Sequence, residues 1–390
     1  CALPILRNDA SNVFGQDINH RIDPTYSFGF SWRASEEAFF QKHLKWITTL
    51  NFRGTFGIQG NALTRESPEL ILSQNGVQAG YNRYYSTISQ IPNPYLSWER
   101  TKNWNFGVDL ELFHMFYMNL EYYTRRSNAV ITVDLPFEYG INDMKRNGGI
   151  IYNRGIEYTL SFTPVQKRDF SLNINLNASK NWNKGGETTI DRTTGMYLTG
   201  SNTQILKEGY PLSGFWSYSF AGLDGSNGKP MFNYVEVPEE EKSKGIDPTT
   251  YLVYSGEKEP YFTGGLGLSF RYKSLSLNTS FSLLLGSKKR LTSPYNDFRG
   301  EHNMMPDPTK NINRDLLNRW QKTGDEAYTN IPGLPIWPLG IAWTLPNTET
   351  AESPISMWEK SDAMVVSASF LRCRNIGLSW QMKKEWCDKI

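Results

Sequence analysis

From Asn103 to Leu112 polar and apolar residues alternate without a slip. Trp104, Phe106, Val108, Leu110 and Leu112 share one parity, and Asn103, Asn105, Gly107, Asp109 and Glu111 share the other. Successive side chains of a strand point to opposite faces, so the segment predicts a strand with one apolar and one polar side. The pattern recurs. Tyr26, Phe28, Phe30 and Trp32 oppose Ser27, Gly29, Ser31 and Arg33, and Leu50, Phe52 and Phe56 oppose Asn51, Arg53, Thr55 and Gly57. Phe116, Met118, Leu120 and Tyr122 oppose Asn119, Glu121 and Tyr123, and Ile156, Tyr158, Leu160 and Phe162 oppose Gly155, Glu157, Thr159 and Ser161. Phe170, Leu172, Ile174 and Leu176 stand against Ser171, Asn173, Asn175 and Asn177. Runs around Phe262–Phe270 and Leu275–Leu283 complete the set. Each run has roughly the 9–11 residues that a tilted strand needs to cross a bilayer.

The spacing between runs carries a second signal. Phe113 to Met115, Val165 to Asp169 and Lys273–Ser274 are tight connections, whereas 60–97, 126–149, 180–260 and 286–363 are long and rich in Gly, Pro, Asn and Tyr. Short turns at one end and long loops at the other are the habit of membrane β-barrels, and a compact soluble domain rarely tolerates several connections of such length. The expected fold is therefore all-β, an antiparallel transmembrane β-barrel of about ten to fourteen strands in this chain. Closure of such a sheet satisfies the backbone groups that an open edge exposes to lipid.

Charge placement tests this assignment. Arg33, Arg53, Asp109, Glu111, Glu121, Glu157 and Arg271 all fall on the polar parity. Arg154 shares parity with Ile156 and Tyr158, and Arg372 and Arg374 share it with Ile376, Leu378 and Trp380. A cation facing lipid at the midplane costs about 2–4 kcal/mol. These arginines therefore call for strand portions beyond the membrane or for a bulge that shifts the phase.

Composition narrows the alternatives. Mean hydropathy is −0.51, and no apolar run approaches the length of a transmembrane helix. Alternating lumen-facing polar residues dilute the hydropathy of a barrel, so the low value does not exclude one. A net charge of +2 gives no field suited to nucleic acid. Cys1, Cys373 and Cys387 are too few for a disulfide framework, although a Cys373–Cys387 pair is conceivable. No catalytic constellation, cofactor motif or metal site emerges. His20, His43, His114 and His302 show no ligand spacing, and Gly264-Gly265-Leu266-Gly267 lies in a strand pattern with no following helix. Glu239-Glu240-Glu241 beside Asp247 reads as a solvated loop before a calcium site. The expectation is a protein that is not an enzyme.

Several segments carry a family resemblance. RNDASNVFG at 7–15, FGFSWRASEEAFF at 28–40, LKWITTLNFRGTFGIQGN at 44–61 and NPYLSWERTKNWNFGVDLELF at 93–113 resemble the C-terminal barrel region of the SusC/RagA-type TonB-dependent transporters. The resemblance continues through LEYYTRRSNAVI, NRGIEYTLSFTP, GYPLSGFWSYSFAGLDGSNGKPMF, PYFTGGLGLSFRYKSLSLNTSFSLLLGSK and SASFLRCRNIGLSW, in the family's order. It implies that residues 1–390 are the C-terminal portion of a 22-stranded receptor barrel, with the plug domain, TonB box and last strands outside the chain. It further implies an outer-membrane importer of oligosaccharides or peptides in Bacteroidota-like bacteria, capped by a SusD-like surface lipoprotein and energised by the TonB–ExbB–ExbD complex.

Under that reading, substrate contacts fall to the outer loops and upper lumen. Flat rings stack on sugars, and Asp or Asn satisfies hydroxyls or amides. The candidates are Tyr84, Tyr85, Trp98, Trp216, Tyr218, Asp224 and Trp337, each of which could instead be an interfacial or loop-core residue. Two other functions stay open: a TonB-dependent siderophore or vitamin receptor, and a soluble β-rich carbohydrate-binding or adhesion protein.

Overall fold

The computed structural model describes residues 2–10, 22–61, 67–78, 80–135, 137–141, 143–188, 197–201, 206–233, 248–296, 298–299, 305–307, 309–334, 343–344 and 351–382. Every alternating run becomes a strand of one antiparallel sheet. In chain order its strands are β1 (Ala2–Ala10), β2 (Ile22–Arg33), β3 (Ile47–Asn61), β6 (Glu99–Leu112), β7 (Phe116–Asp134), β8 (Asp143–Gln166), β9 (Phe170–Thr188), β14 (Phe262–Tyr272), β15 (Leu275–Leu285) and β22 (Phe370–Trp380). These ten are hydrogen-bonded in the same order, so each strand pairs with the next membrane-type run along the chain. β1 and β22 are the two edges among the described residues.

The loops hold the remaining ladders. β4 (Ile71–Gln78) and β5 (Arg83–Gln90) form a hairpin after β3; β10 (Gly214–Tyr218) pairs with β13 (Leu252–Glu257), and β11 (Phe220–Leu223) with β12 (Pro230–Phe232). β16 (Lys288–Arg290) pairs with β21 (Val365–Ser367), β17 (Phe298–Arg299) with β18 (Met305–Pro306), and β19 (Trp343–Thr344) with β20 (Ala351–Glu352).

Among the described residues, the large apolar side chains of the sheet are mostly exposed or half-buried rather than packed in a core. Phe28, Phe30 and Trp104 are 48%, 46% and 46% exposed, and Leu378 is 69% exposed. Their rings and chains form a continuous apolar surface, with pairs such as Phe56–Trp104 (4.4 Å), Phe116–Phe162 (6.1 Å) and Phe170–Phe270 (5.3 Å) spread between the loop and turn ends. An apolar surface of that extent is stable only against an apolar medium or partner. The buried core lies in the loops instead, where Trp216, Met357 and Trp358 are at most 2% exposed and pack with Leu198, Tyr218, Leu252 and Tyr295.

Two expectations are corrected. Residues 126–149 are not a long loop: β7 continues to Asp134 and β8 begins at Asp143, so the connection is short. β9 likewise runs to Thr188, into the stretch expected to open a loop. Beyond the bilayer both faces of a strand meet water or loops, and the alternation that lipid imposes fades even though the ladder continues. β8 has 24 residues, more than twice what a crossing requires.

The misplaced arginines resolve in two different ways. Along β22 the pairing slips between Ser280 and Phe281: Ser280 faces Asn375, but Phe281 faces Cys373. This bulge at Arg374 returns Arg372 to the serine face opposite Ser282, and Arg374 Nε lies 3.3 Å from Ser282 Oγ. Arg154 has no such slip beside it. It pairs in register with Thr124 and Trp182 and stays on the apolar parity, in the upper part of the long β8. The tight turns also match. Phe113 and His114 take positive φ (53° and 56°) between β6 and β7, and Lys273 (52°) does so between β14 and β15.

Candidate substrate-facing wall and loops

The polar face of the sheet is built by the residues that alternate with the lipid-type ones. Arg53 on β3 reaches across β6 to β7: Nη2 donates to Asp109 Oδ1 (3.1 Å) and Glu121 Oε1 (2.8 Å), and Nε lies 3.0 Å from Asp109 Oδ2. Gly107 faces the guanidinium and leaves room for it, since a Cβ there would lie 3.1 Å from Nη2. Asn51 (3.1 Å) and Asn119 (2.7 Å) also donate to Asp109, and Ser31 donates to Asn51 (2.8 Å). This network ties four strands together on one face.

Higher on the same face the alternating asparagines of β9 take over. Tyr123 donates to Asn181, and Asn183 donates to Asn153 (2.5 Å) while accepting from the Leu212 amide (2.7 Å). A connection that returns toward β10 is thus pinned against the polar face. Asn147 does the same for the segment before β6, accepting from the Ser97 amide and donating to the Ser97 carbonyl, both at 2.9 Å. A concavity of about 740 Å³ lies against β8, β9, β14 and β15, where Glu157, Asn175, Asn177, Ser280, Ser282 and Arg374 supply polar groups. Such a surface offers hydrogen-bond donors and acceptors to a polar solute.

The loops form a packed body of their own. Arg290 donates to the carbonyls of Thr199 and Trp216 and to Ser217 Oγ (3.0 Å), with its guanidinium 5.0 Å from the Phe215 ring centre. Burial lowers its pKa to about 10, which leaves it cationic at neutral pH. Burial also pushes Tyr254 up to about 12, with Glu257 adding to the shift, and raises Tyr295, whose hydroxyl donates to the Pro332 carbonyl (2.5 Å).

The proposed contact residues are distributed unevenly. Tyr84 and Tyr85 lie on β5 and are 73% and 45% exposed, so the hairpin presents both rings outward. Trp98 is buried beside Leu96 and Val130 at the base of that hairpin. Trp216 and Tyr218 are 1% and 3% exposed in the loop core, against Tyr254 and Phe232 respectively. In this arrangement both rings pack against other side chains of the loop core. Asp224 closes its own turn, accepting from Ser226 N (2.8 Å), Ser226 Oγ (2.6 Å) and Asn227 Nδ2 (3.0 Å). Hydrogen bonds from Ser226 hold its carboxyl below the usual range. Trp337 lies outside the described residues, as do Cys1, Cys387, His20, His302 and the Glu239–Glu241 run with Asp247. Cys373 is exposed. No cluster of three His, Cys, Asp or Glu side chains that could hold a metal occurs among the described residues. The alternation places Arg53, Asp109 and Glu121 on the polar face but does not single out Arg290, for which only the basic run Lys288-Lys289-Arg290 gives any signal.

Comparison with known proteins names the architecture. No family model matches the chain. TonB-dependent receptor P3 of Formosa agariphila is 26% identical over 301 residues, covering 72% of this chain and 30% of that protein. TonB-dependent receptor SusC of Bacteroides thetaiotaomicron is 24% identical over 402 residues, covering 98% of this chain and 36% of that protein. The RagAB peptide importer in its closed-closed state shares the fold with a TM-score of 0.71 and 23% identity, over 99% of this chain and 40% of the matched one. The chain thus spans about a third of the length of the curated relatives it matches. These relatives are receptors and an importer by name; the chain is similar in sequence to SusC-type TonB-dependent receptors and shares the fold of the matched part of the RagAB importer.

Proposed function

We propose that this chain forms barrel wall and outer loops of an active importer in the outer membrane, which takes up oligosaccharides or peptides and is energised through TonB. The observation that carries the reading is the two-faced sheet. Its apolar side is exposed over the turn-ward part of the strands, its opposite side is a hydrogen-bonded polar wall, and among the described residues the larger packed core lies in the loops. Lipid on one side and a wet lumen on the other account for this division. The likeness to SusC and to the RagAB peptide importer supports an import role and a SusD-like surface lipoprotein as partner.

The chain would be the C-terminal portion of the barrel within a longer protein that supplies the plug and TonB-binding segment. β1 and β22 pair with no further strand among the described residues, which favours this, because an open sheet edge in hydrocarbon leaves backbone groups unsatisfied. The exposed pair Tyr84 and Tyr85 is the best-placed aromatic platform for substrate.

Two experiments test the reading with the full-length gene. Detergent fractionation should recover the protein with outer membranes, and recovery in the aqueous phase without detergent contradicts it. Uptake of labelled oligosaccharides and peptides by cells carrying Tyr84→Ala and Tyr85→Ala together should fall several-fold for one class. Unchanged growth and uptake would remove the two tyrosines from the site. Uptake of iron chelates or corrinoids instead would favour the siderophore or vitamin alternative.

A further inference from the structure

The outward face of β6 to β9 changes character toward the loop end. Register places Lys102 beside Arg126, Arg126 beside Tyr152, and Tyr152 beside Lys184. One step lower, Trp104, Thr124, Arg154 and Trp182 form the next row, and Lys180 lies opposite Ile156 and Phe262. All five cations are exposed, and all have the parity of the lipid-type residues below them. Among the described residues, none is within ion-pair distance of a carboxylate. The nearby acids of β7 and β8, Glu121 and Glu157, have the opposite parity and pair across the strands on the polar face.

The rings in this patch are placed to hold the cations at an interface. Lys180 Nζ lies 5.0 Å from the Trp182 ring centre and 5.9 Å from that of Tyr261. Aromatic residues mark the boundary between hydrocarbon and headgroups, and a cation is tolerated on the outer face there but not at the midplane. The row from Lys102 to Lys184 covers three inter-strand steps of about 4.8 Å each, so it spreads positive charge over roughly 15 Å. At the opposite, turn end the basic residues are mixed with acids: Lys167 and Arg168 adjoin Asp169, and Arg33 pairs with Glu36. At the loop end the cations instead line up in adjacent rows on the outward face.

We propose that this patch is a binding site for a phosphate-bearing lipid headgroup of the outer leaflet, with Lys102, Arg126, Arg154, Lys180 and Lys184 as its ligands. The proposal rests on the membrane-barrel reading above. Charge complementarity selects an anion, and continuity with the apolar surface selects one that carries acyl chains. Guanidinium groups suit phosphate through paired N–H donors, and ammonium groups add charge along the row. The lumen-facing loops lie on the other side of the sheet, so the site is separate from the substrate path.

The test uses the intact transporter purified in a neutral detergent. Native mass spectrometry is run after titration with a bis-phosphorylated lipid A, its dephosphorylated form, phosphatidylcholine, or inorganic phosphate. The bis-phosphorylated lipid should bind at least tenfold more tightly than the other three. The variant Lys102→Gln/Arg126→Gln/Arg154→Gln/Lys184→Gln should lose that preference, while Lys102→Arg/Lys180→Arg/Lys184→Arg keeps it. Heat-dependent gel mobility of each variant reports whether the barrel has folded. Equal binding of phosphatidylcholine, equal binding of inorganic phosphate, or full retention in the folded glutamine variant overturns the proposal. A protein that needs no detergent overturns the barrel reading itself, so the two failures are distinguishable.

Discussion

Replacing Arg53 by Met removes the cation that holds Asp109 and Glu121 together on the lumen wall, and the structure sets the scale of the loss. Breaking a fully buried ion pair by deleting one partner costs roughly 3–5 kcal/mol, because the other charge is left uncompensated. Here the side chains of Arg53, Asp109 and Glu121 are 39%, 17% and 24% exposed, so water already screens part of the interaction. Asp109 keeps its bonds from Asn51 and Asn119, whereas Glu121 keeps only a long contact from Asn105 at 3.4 Å. Discounting for this screening leaves an expected loss of about 2 kcal/mol, more than an exposed surface pair contributes. Most of that penalty should reside on Glu121, so Glu121→Gln added to Arg53→Met should restore about 1 kcal/mol. Urea unfolding of the intact transporter in phospholipid vesicles, followed by tryptophan fluorescence and gel mobility, measures both values. A loss under about 0.5 kcal/mol, or no recovery in the double variant, refutes the account of the network as a strut of the wall.

Three further outcomes follow from single positions. His114 is exposed with φ of 56°, where a non-glycine residue costs about 1–2 kcal/mol, so His114→Gly should stabilise the β6–β7 turn by ~1 kcal/mol in the same unfolding assay. Leu176, flanked by Leu160 and Leu266, faces lipid, and Leu176→Arg should cost about 2–4 kcal/mol, whereas Thr159→Arg on the opposite face should leave membrane assembly intact. The carboxyl of Glu326 is held below the usual range, first by a hydrogen bond from its own backbone amide and then by those from Trp320 Nε1 (3.1 Å) and Gly324 N (2.8 Å). A depressed carboxyl stabilises the loop above the ordinary carboxylate range, and this contribution is lost as pH falls through the lowered value. The fluorescence difference between the parent and Trp320→Phe should therefore change only below that range, and Glu326→Gln should abolish the step.

Much of the fold was legible because lipid enforces a pattern that sequence can carry. Each segment with clean alternation became a strand of the main sheet, and the short turns fell between the same pairs of strands. Legibility ended where that constraint ends. The upper parts of β7, β8 and β9 read as loops in sequence, since past the hydrocarbon residues such as Lys145 and Glu187 carry no lipid penalty on either face and the period disappears. The loop core was not visible either. Trp216 and Tyr218 have the composition of a binding platform, yet their burial depends on contacts from Leu198, Tyr254 and Trp358, which are far apart in the chain. No local pattern distinguishes an aromatic ring that meets solute from one that meets another ring.

The two arginine anomalies show how such ambiguities divide. Arg372 and Arg154 broke the same parity rule in sequence, and a bulge or an extramembrane position could explain either. For Arg372 the slip opposite Ser280 and Phe281 moves the side chain to the polar face, so the backbone absorbs the conflict. For Arg154 the ladder stays in register, and the conflict is relieved by height along a strand far longer than a membrane crossing. The difference has a functional consequence. A bulge hides charge from lipid and adds Arg374 and Arg372 to the lumen wall, whereas an extended strand leaves charge on the outside at the boundary. Lys102, Arg126 and Lys184 share that outside position with Arg154, so what looks in sequence like one violation of alternation is, in the sheet, part of a row. A row of cations without acids on a face that is otherwise apolar is a surface chemistry suited to anionic headgroups.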